Sequence, residues 1–201
     1  MLVKFKFKNL LPLMLFSVGS YGFAGMVEQI DFIAQPLVNV KQGDITGCGY
    51  RLIGSKINTS GGKKSNAIDL SFNLYIEGVA AVKGGLLEFD VKSLQENKSP
   101  QPIAIKNFWV KSKGAKATNP INNQIIKSQS PVGYMLYTTE VENVVPLFGA
   151  VYAREQVMIG YRRANEDFDR VFNGSITLTD AEEKQIQDCV VELLSNMEKL
   201  K

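Results

Sequence analysis

Residues 68–77 read Ile-Asp-Leu-Ser-Phe-Asn-Leu-Tyr-Ile-Glu, with an apolar side chain at every second position. Ile68, Leu70, Phe72, Leu74 and Ile76 share one face of an extended chain, and Asp69, Ser71, Asn73 and Glu77 share the other. A helix would scatter this pattern around its circumference. The segment therefore predicts a strand with one face in a core and one in water. Leu87, Phe89 and Val91 alternate with Glu88, Asp90 and Lys92 in the same way. Gly78 and the pair Gly84-Gly85 read as punctuation between the two runs, so an antiparallel hairpin is expected. Weaker strand patterns lie near 29–34, 48–57, 103–112, 133–141 and 150–162, although 144–154 fits a short helix equally well. The stretch 114–132, rich in Gly, Asn, Pro, Ser and Gln, reads as a long loop.

The chain ends in a different periodicity. Thr179-Asp180-Ala181-Glu182 has the form of a capping box. Ile186, Cys189, Val190, Leu193, Met197 and Leu200 then recur at helical spacing, with Lys199 and Lys201 suited to the negative end of a helix dipole. The fold expected is mainly β, an antiparallel β-sandwich or curled sheet, with one C-terminal amphipathic α-helix at about 180–199 packed on the sheet.

Only two cysteines are present. Cys48 shares a strand face with Tyr50 and Leu52, and Cys189 lies on the apolar stripe of the terminal helix. Both point inward, which predicts a Cys48–Cys189 disulfide. Redox-active pairs sit close together in sequence, and these do not.

A disulfide implies an oxidising compartment, and the first 24 residues agree. Lys4, Lys6 and Lys8 precede an apolar run from Leu10 to Gly19, and Gly22 and Ala24 place small residues at −3 and −1 of a cleavage point. This is the pattern of a secretory signal peptide. The expected organisation is a signal peptide at 1–24 and a single β-rich domain at 25–201, periplasmic or secreted after cleavage following Ala24. The apolar run is about half the ~20 residues that span a bilayer as a helix. No transmembrane segment is expected in the mature chain.

Charge and composition then narrow the function. The chain has 23 Lys+Arg and 20 Asp+Glu, and the signal carries three of the lysines and none of the acids. The mature chain is neutral overall, which argues against nucleic acid as a partner. There is no histidine, which closes Ser-His-Asp and Cys-His catalysis and histidine-ligated zinc. Asn165-Glu166-Asp167-Phe168-Asp169 resembles the opening of a calcium loop. Arg170 stands where the turn glycine belongs and Ile176 where the bidentate glutamate belongs, so the run reads as a surface turn paired with Arg162, Arg163 and Arg170. No metal site, cofactor or catalytic residue is expected.

One stretch stands out by charge. From Asn97 to Thr139 there are six lysines and no acid. Lys106, Lys111, Lys113 and Lys116, with Trp109 among them, are the candidate anion-binding residues. The expectation is an exported, non-enzymatic binding or interaction module. Its partner would be a protein or an anionic ligand: a glycan, a lipid head group or an acidic protein surface. The alternatives are a structural or assembly subunit of a cell-envelope or surface complex and, behind it, a histidine-independent hydrolase built on paired carboxylates.

Overall fold

The computed structural model describes residues 27–58, 64–90, 92, 95–96, 98–126 and 133–199; the expected signal peptide, Lys127 and Leu200 lie outside them. The chain is mostly β, in two sheets that face each other across the core. The large sheet is an antiparallel meander of β2 (Phe32–Lys41), β3 (Asp44–Lys56), β4 (Ser65–Tyr75) and β5 (Ala80–Phe89). The far edge of β5 pairs with β6 (Gln101–Ile103) along one half and with β8 (Tyr134–Thr139) along the other. The small sheet has the order β1 (Val27–Gln29), β10 (Arg170–Gly174), β9 (Val157–Arg163) and β7 (Ile105–Ser112).

Two strands pass from one sheet to the other. β1 leaves the small sheet at Ile30-Asp31 and continues as β2, while β10 turns at Ser175 into β11 (Ile176–Thr177), which lies parallel to β2. The ladder holds through the corner. The Ile30 N–H donates to the Asn173 carbonyl at 3.1 Å and the Phe32 N–H to the Ser175 carbonyl at 2.9 Å. Phe32 is fully buried there between Gly54 and Gly174, where any larger side chain would meet its ring. The run near 29–34 is thus two strands, not one. Pro36 is accommodated because β11 covers β2 only at Phe32 and Ile33, leaving the missing N–H of Pro36 on an open edge.

The opposite edges of the two sheets are tied by side chains. The Tyr137 hydroxyl on β8 donates to the Phe108 carbonyl on β7 at 3.0 Å and meets the Thr118 hydroxyl at 2.9 Å. Thr118 also exchanges backbone and side-chain hydrogen bonds with Val110. Part of the expected loop at 114–132 therefore serves as a seam, with Ile126 donating to the Leu136 carbonyl at 2.7 Å. Residues 127–132 lie outside the described set.

Gly84 and Gly85 do not punctuate the hairpin. They lie inside β5, and the turn is formed by residues 76–79, with Gly78 at φ 72°. The two glycines leave room for aromatic rings on opposite faces: Phe108 over Gly84 in the core and Tyr134 over Gly85 outside.

Two helices complete the core. The 150–162 run is not one strand: α1 (Val141–Tyr152) ends in it, a turn follows, and β9 begins at Val157. Val144, Val145 and Pro146 mask this helix in the sequence, because β-branched residues and proline disfavour a helix interior. Tertiary packing overrides the propensity. Val144, Leu147, Ala150 and Val151 are buried, and the Phe148 ring packs on Phe72 and Tyr50 at centroid distances of 5.4 and 5.5 Å. The terminal helix, α2 (Asp180–Lys199), lies against β3 and β2. Its capping box forms as expected: the Thr179 N–H donates to Glu182 Oε2 at 2.8 Å, and the Glu182 N–H donates to Thr179 Oγ1 at 3.3 Å. Ile186, Cys189 and Leu193 are buried, and Cys189 is bonded to Cys48.

Candidate functional site

The lysines singled out by charge lie on and beyond β7, at the edge of the small sheet. Lys106 sits at a bulge in the β7–β9 pairing and forms an ion pair with Asp167 at 3.1 Å. Asn107, Trp109 and Lys111 point to the outer face. Trp109 lies flat over Gly160, and its indole N–H donates to Asp169 Oδ2 at 2.9 Å. The Lys111 ammonium stands 5.9 Å from the centre of the Trp109 ring. Lys113 and Lys116 are exposed, with no ion pair among the described residues. Phe108 and Tyr137 belong to the core. Pairing between segments supplies the carboxylates that the 97–139 stretch lacks.

The acidic run at 165–169 is likewise tied to cations. Glu166 takes a double hydrogen bond from Arg170, and Asp169 accepts from Arg162 at 2.7 Å as well as from Trp109 and Asn107.

A different arrangement forms on the outer face of the large sheet. The register aligns Gln35, Arg51, Ser71, Lys83 and Leu136 in one row across five strands. The next row aligns Ile33, Ile53, Asp69, Gly85 and Tyr134. Because the alternate residues of these strands fill the core, both rows face solvent. Arg51, Ser71, Lys83, Asp69 and Tyr134, with Leu37, line a cleft of about 360 Å³, within the usual range for a small-ligand site.

The cleft is held from below. The Arg51 guanidinium grips both oxygens of Asp69 at 2.8 Å. Tyr134 reaches across Gly85, where a Cβ would meet its ring at 2.6 Å, and donates its hydroxyl to Asp69 Oδ2 at 2.9 Å. Asp69 is the one carboxylate in the lining, and both its oxygens are engaged. Lys83 stands 5.2 Å from the Tyr134 ring centre and has no ion pair among the described residues. The Ser71 hydroxyl, between Arg51 and Lys83 in the row, has no hydrogen-bond partner among the described residues. The cleft thus carries one paired cation, Arg51, one unpaired cation, Lys83, and a free hydroxyl beside them.

Burial pushes the Asp69 carboxyl up, but the hydrogen bonds from Arg51 and Tyr134 and the charges of Arg51 and Lys83 outweigh it, leaving it below the usual range. Burial and the neighbouring Asp69 charge push the Tyr134 phenol up to about 12. Near neutral pH Asp69 is an ionised anchor and Tyr134 a neutral donor. Neither is poised as a base or nucleophile. Asp169 is also held low, by Trp109, Arg162 and Asn107 against its burial, and Glu166 by the hydrogen bonds from Arg170.

These three carboxyls titrate below their unfolded values. Their contribution to stability is complete above the ordinary carboxylate range near pH ~4 and drains away as pH falls through the folded values. Asp69→Asn is therefore expected to lower the denaturation midpoint at neutral pH and to make the further loss in acid shallower. Urea denaturation between about pH 6 and about pH 2 measures both effects.

The sequence alone does not bring these cleft residues together as a site. The alternation around Phe72 puts Asp69 and Ser71 on the solvent face, but their meeting with Arg51, Lys83 and Tyr134 depends on strand register. Among the described residues no group of three or more acidic or cysteine side chains is placed to hold a metal ion. Compared with protein-family models, curated proteins and solved structures, the chain matches none of them.

Proposed function

We propose that the protein is an exported binding module that recognises an anionic group, carried by a glycan or a lipid head group, in the cleft on the outer face of its large sheet. The observation that carries this reading is the row Arg51, Ser71, Lys83: Asp69 is paired with Arg51, which leaves the Lys83 ammonium unpaired beside a free hydroxyl and gives the described lining of the cleft one net positive charge. A sulfate, phosphate or carboxylate fits such a row because charge-assisted hydrogen bonds are the strong ones. The sheet register fixes the three backbone positions, and Asp69 holds the Arg51 guanidinium in place, which reduces the ordering cost of binding. The basic start, the apolar run and the Gly22/Ala24 pair support export, as does the disulfide. No helix among the described residues is long and apolar enough to cross a membrane.

The reading is tested by calorimetry with a sulfated oligosaccharide and its unsulfated counterpart, at low and high salt. Binding should require sulfation and weaken with salt, because exposed charges are screened over ~8–10 Å. Lys83→Gln should weaken binding about tenfold, the value of one hydrogen bond to a charged group. A Lys111→Gln/Lys113→Gln variant should leave it unchanged. If the second variant abolishes binding and Lys83→Gln does not, the ligand sits instead on the small-sheet lysines around Trp109. Absence of binding to any anionic probe at low salt rejects the reading.

A further inference from the structure

The cleft on the large sheet holds an aromatic ring as well as charges. Tyr134 lies on the solvent side of Gly85, and the Cβ that Gly85 lacks would stand 2.6, 2.7 and 2.8 Å from the ring atoms Cδ1, Cε1 and Cγ. Near-equal distances to three successive ring atoms place that point over the face of the ring, not beyond its rim. One face of Tyr134 therefore rests on the backbone of β5, and the other is turned away from the sheet. The hydroxyl donates to Asp69 Oδ2 at 2.9 Å, which fixes the ring in this attitude. The Lys83 ammonium stands 5.2 Å from the ring centre, more than the ~3.5–4.0 Å of direct carbon contact.

The rest of the lining defines what can lie on that face. Besides the Tyr134 ring, Leu37 is its only apolar side chain. That is cover for one small ring, and too little for an alkyl chain, which gains by leaving water only where each CH₂ is covered. The Ser71 hydroxyl, free among the described residues, both donates and accepts. β5 separates β4 from β8, so the backbones at Ser71 and Tyr134 lie ~10 Å apart, a gap that one substituted sugar ring bridges. We infer, resting on the anion-binding reading of this cleft, that its ligand is an acidic sugar. The C–H groups of a pyranose ring pack on the open face of Tyr134, and a sulfate or carboxylate on that ring is held by Lys83 and Ser71.

The probes are monosulfated glucose, glucose, inorganic sulfate and octyl sulfate, titrated by calorimetry. Sulfated glucose should bind about tenfold more tightly than inorganic sulfate, the contribution of one stacked ring. Its ring C–H protons should shift upfield in the proton NMR spectrum, because they sit over an aromatic face. Tyr134→Phe keeps the ring and should preserve both the preference and the upfield shift. Tyr134→Leu should abolish both while inorganic sulfate still binds. Equal affinity for sulfated glucose and inorganic sulfate, with Lys83→Gln weakening both, would overturn the sugar and leave the anion cleft standing. Tighter binding of octyl sulfate than of sulfated glucose would overturn it in favour of a lipid. No binding of any of the three anions would remove the anion cleft, and the sugar with it.

Discussion

Replacing both Cys48 and Cys189 by alanine is expected to lower the unfolding free energy by about 5 kcal/mol and the melting temperature by about 10–20 °C. The two residues are 141 apart in sequence and 6.0 Å apart between Cα atoms. A cross-link of that span removes much of the freedom of the unfolded chain. It also joins the last helix to a central strand of the large sheet. Both cysteines are buried, and Cys189 lies between Ile186 and Leu193 on the stripe that covers β3 and β2. Loss of the bond therefore loosens α2 as well as enlarging the unfolded ensemble. Chemical denaturation of the oxidised, reduced and double-alanine proteins measures the effect. Identical midpoints would mean that α2 is held by packing alone.

Gly84→Val is expected to cost at least about 3 kcal/mol, comparable to losing a buried phenylalanine. A Cβ at this position falls within the Phe108 ring. Phe108 is 1% exposed, lies on β7, and its carbonyl receives the Tyr137 hydroxyl. Moving it disturbs both the contact between the sheets and the seam between their edges. The neighbouring Gly85→Val should behave differently. It displaces Tyr134 on the solvent face and breaks the bond to Asp69, so it should impair anion binding with a smaller loss of stability. Melting curves and calorimetry on the two variants separate the effects. Equal destabilisation by both would show that the outer-face tyrosine is as structural as the inner-face phenylalanine.

The parts of the fold legible in the sequence are those with a local physical cause. The alternation around Phe72 specifies β4, the capping box at Thr179 and the stripe through Leu193 specify α2, and the inward directions of Cys48 and Cys189 specify their bond. The parts that escaped depend on tertiary contact. α1 is hidden by Val144, Val145 and Pro146, and forms because Leu147, Phe148 and Val151 find the core. Gly84 and Gly85 resemble a turn until Phe108 and Tyr134 are placed over them. The candidate cleft escaped for the same reason. Arg51, Ser71 and Lys83 come from three strands, and a shift of one residue in either pairing would turn one of them to the other face. Conversely, Lys106 looks unneutralised in sequence because its carboxylate, Asp167, is 61 residues away.

The most direct test is backbone amide chemical-shift mapping during titration with a sulfated disaccharide. Shifts centred on Arg51, Ser71, Lys83 and Tyr134, needing about tenfold more ligand in Lys83→Gln, are the result predicted for an anion held in the large-sheet cleft. Shifts confined to residues 106–116, or none at a ligand excess and low salt, would contradict it.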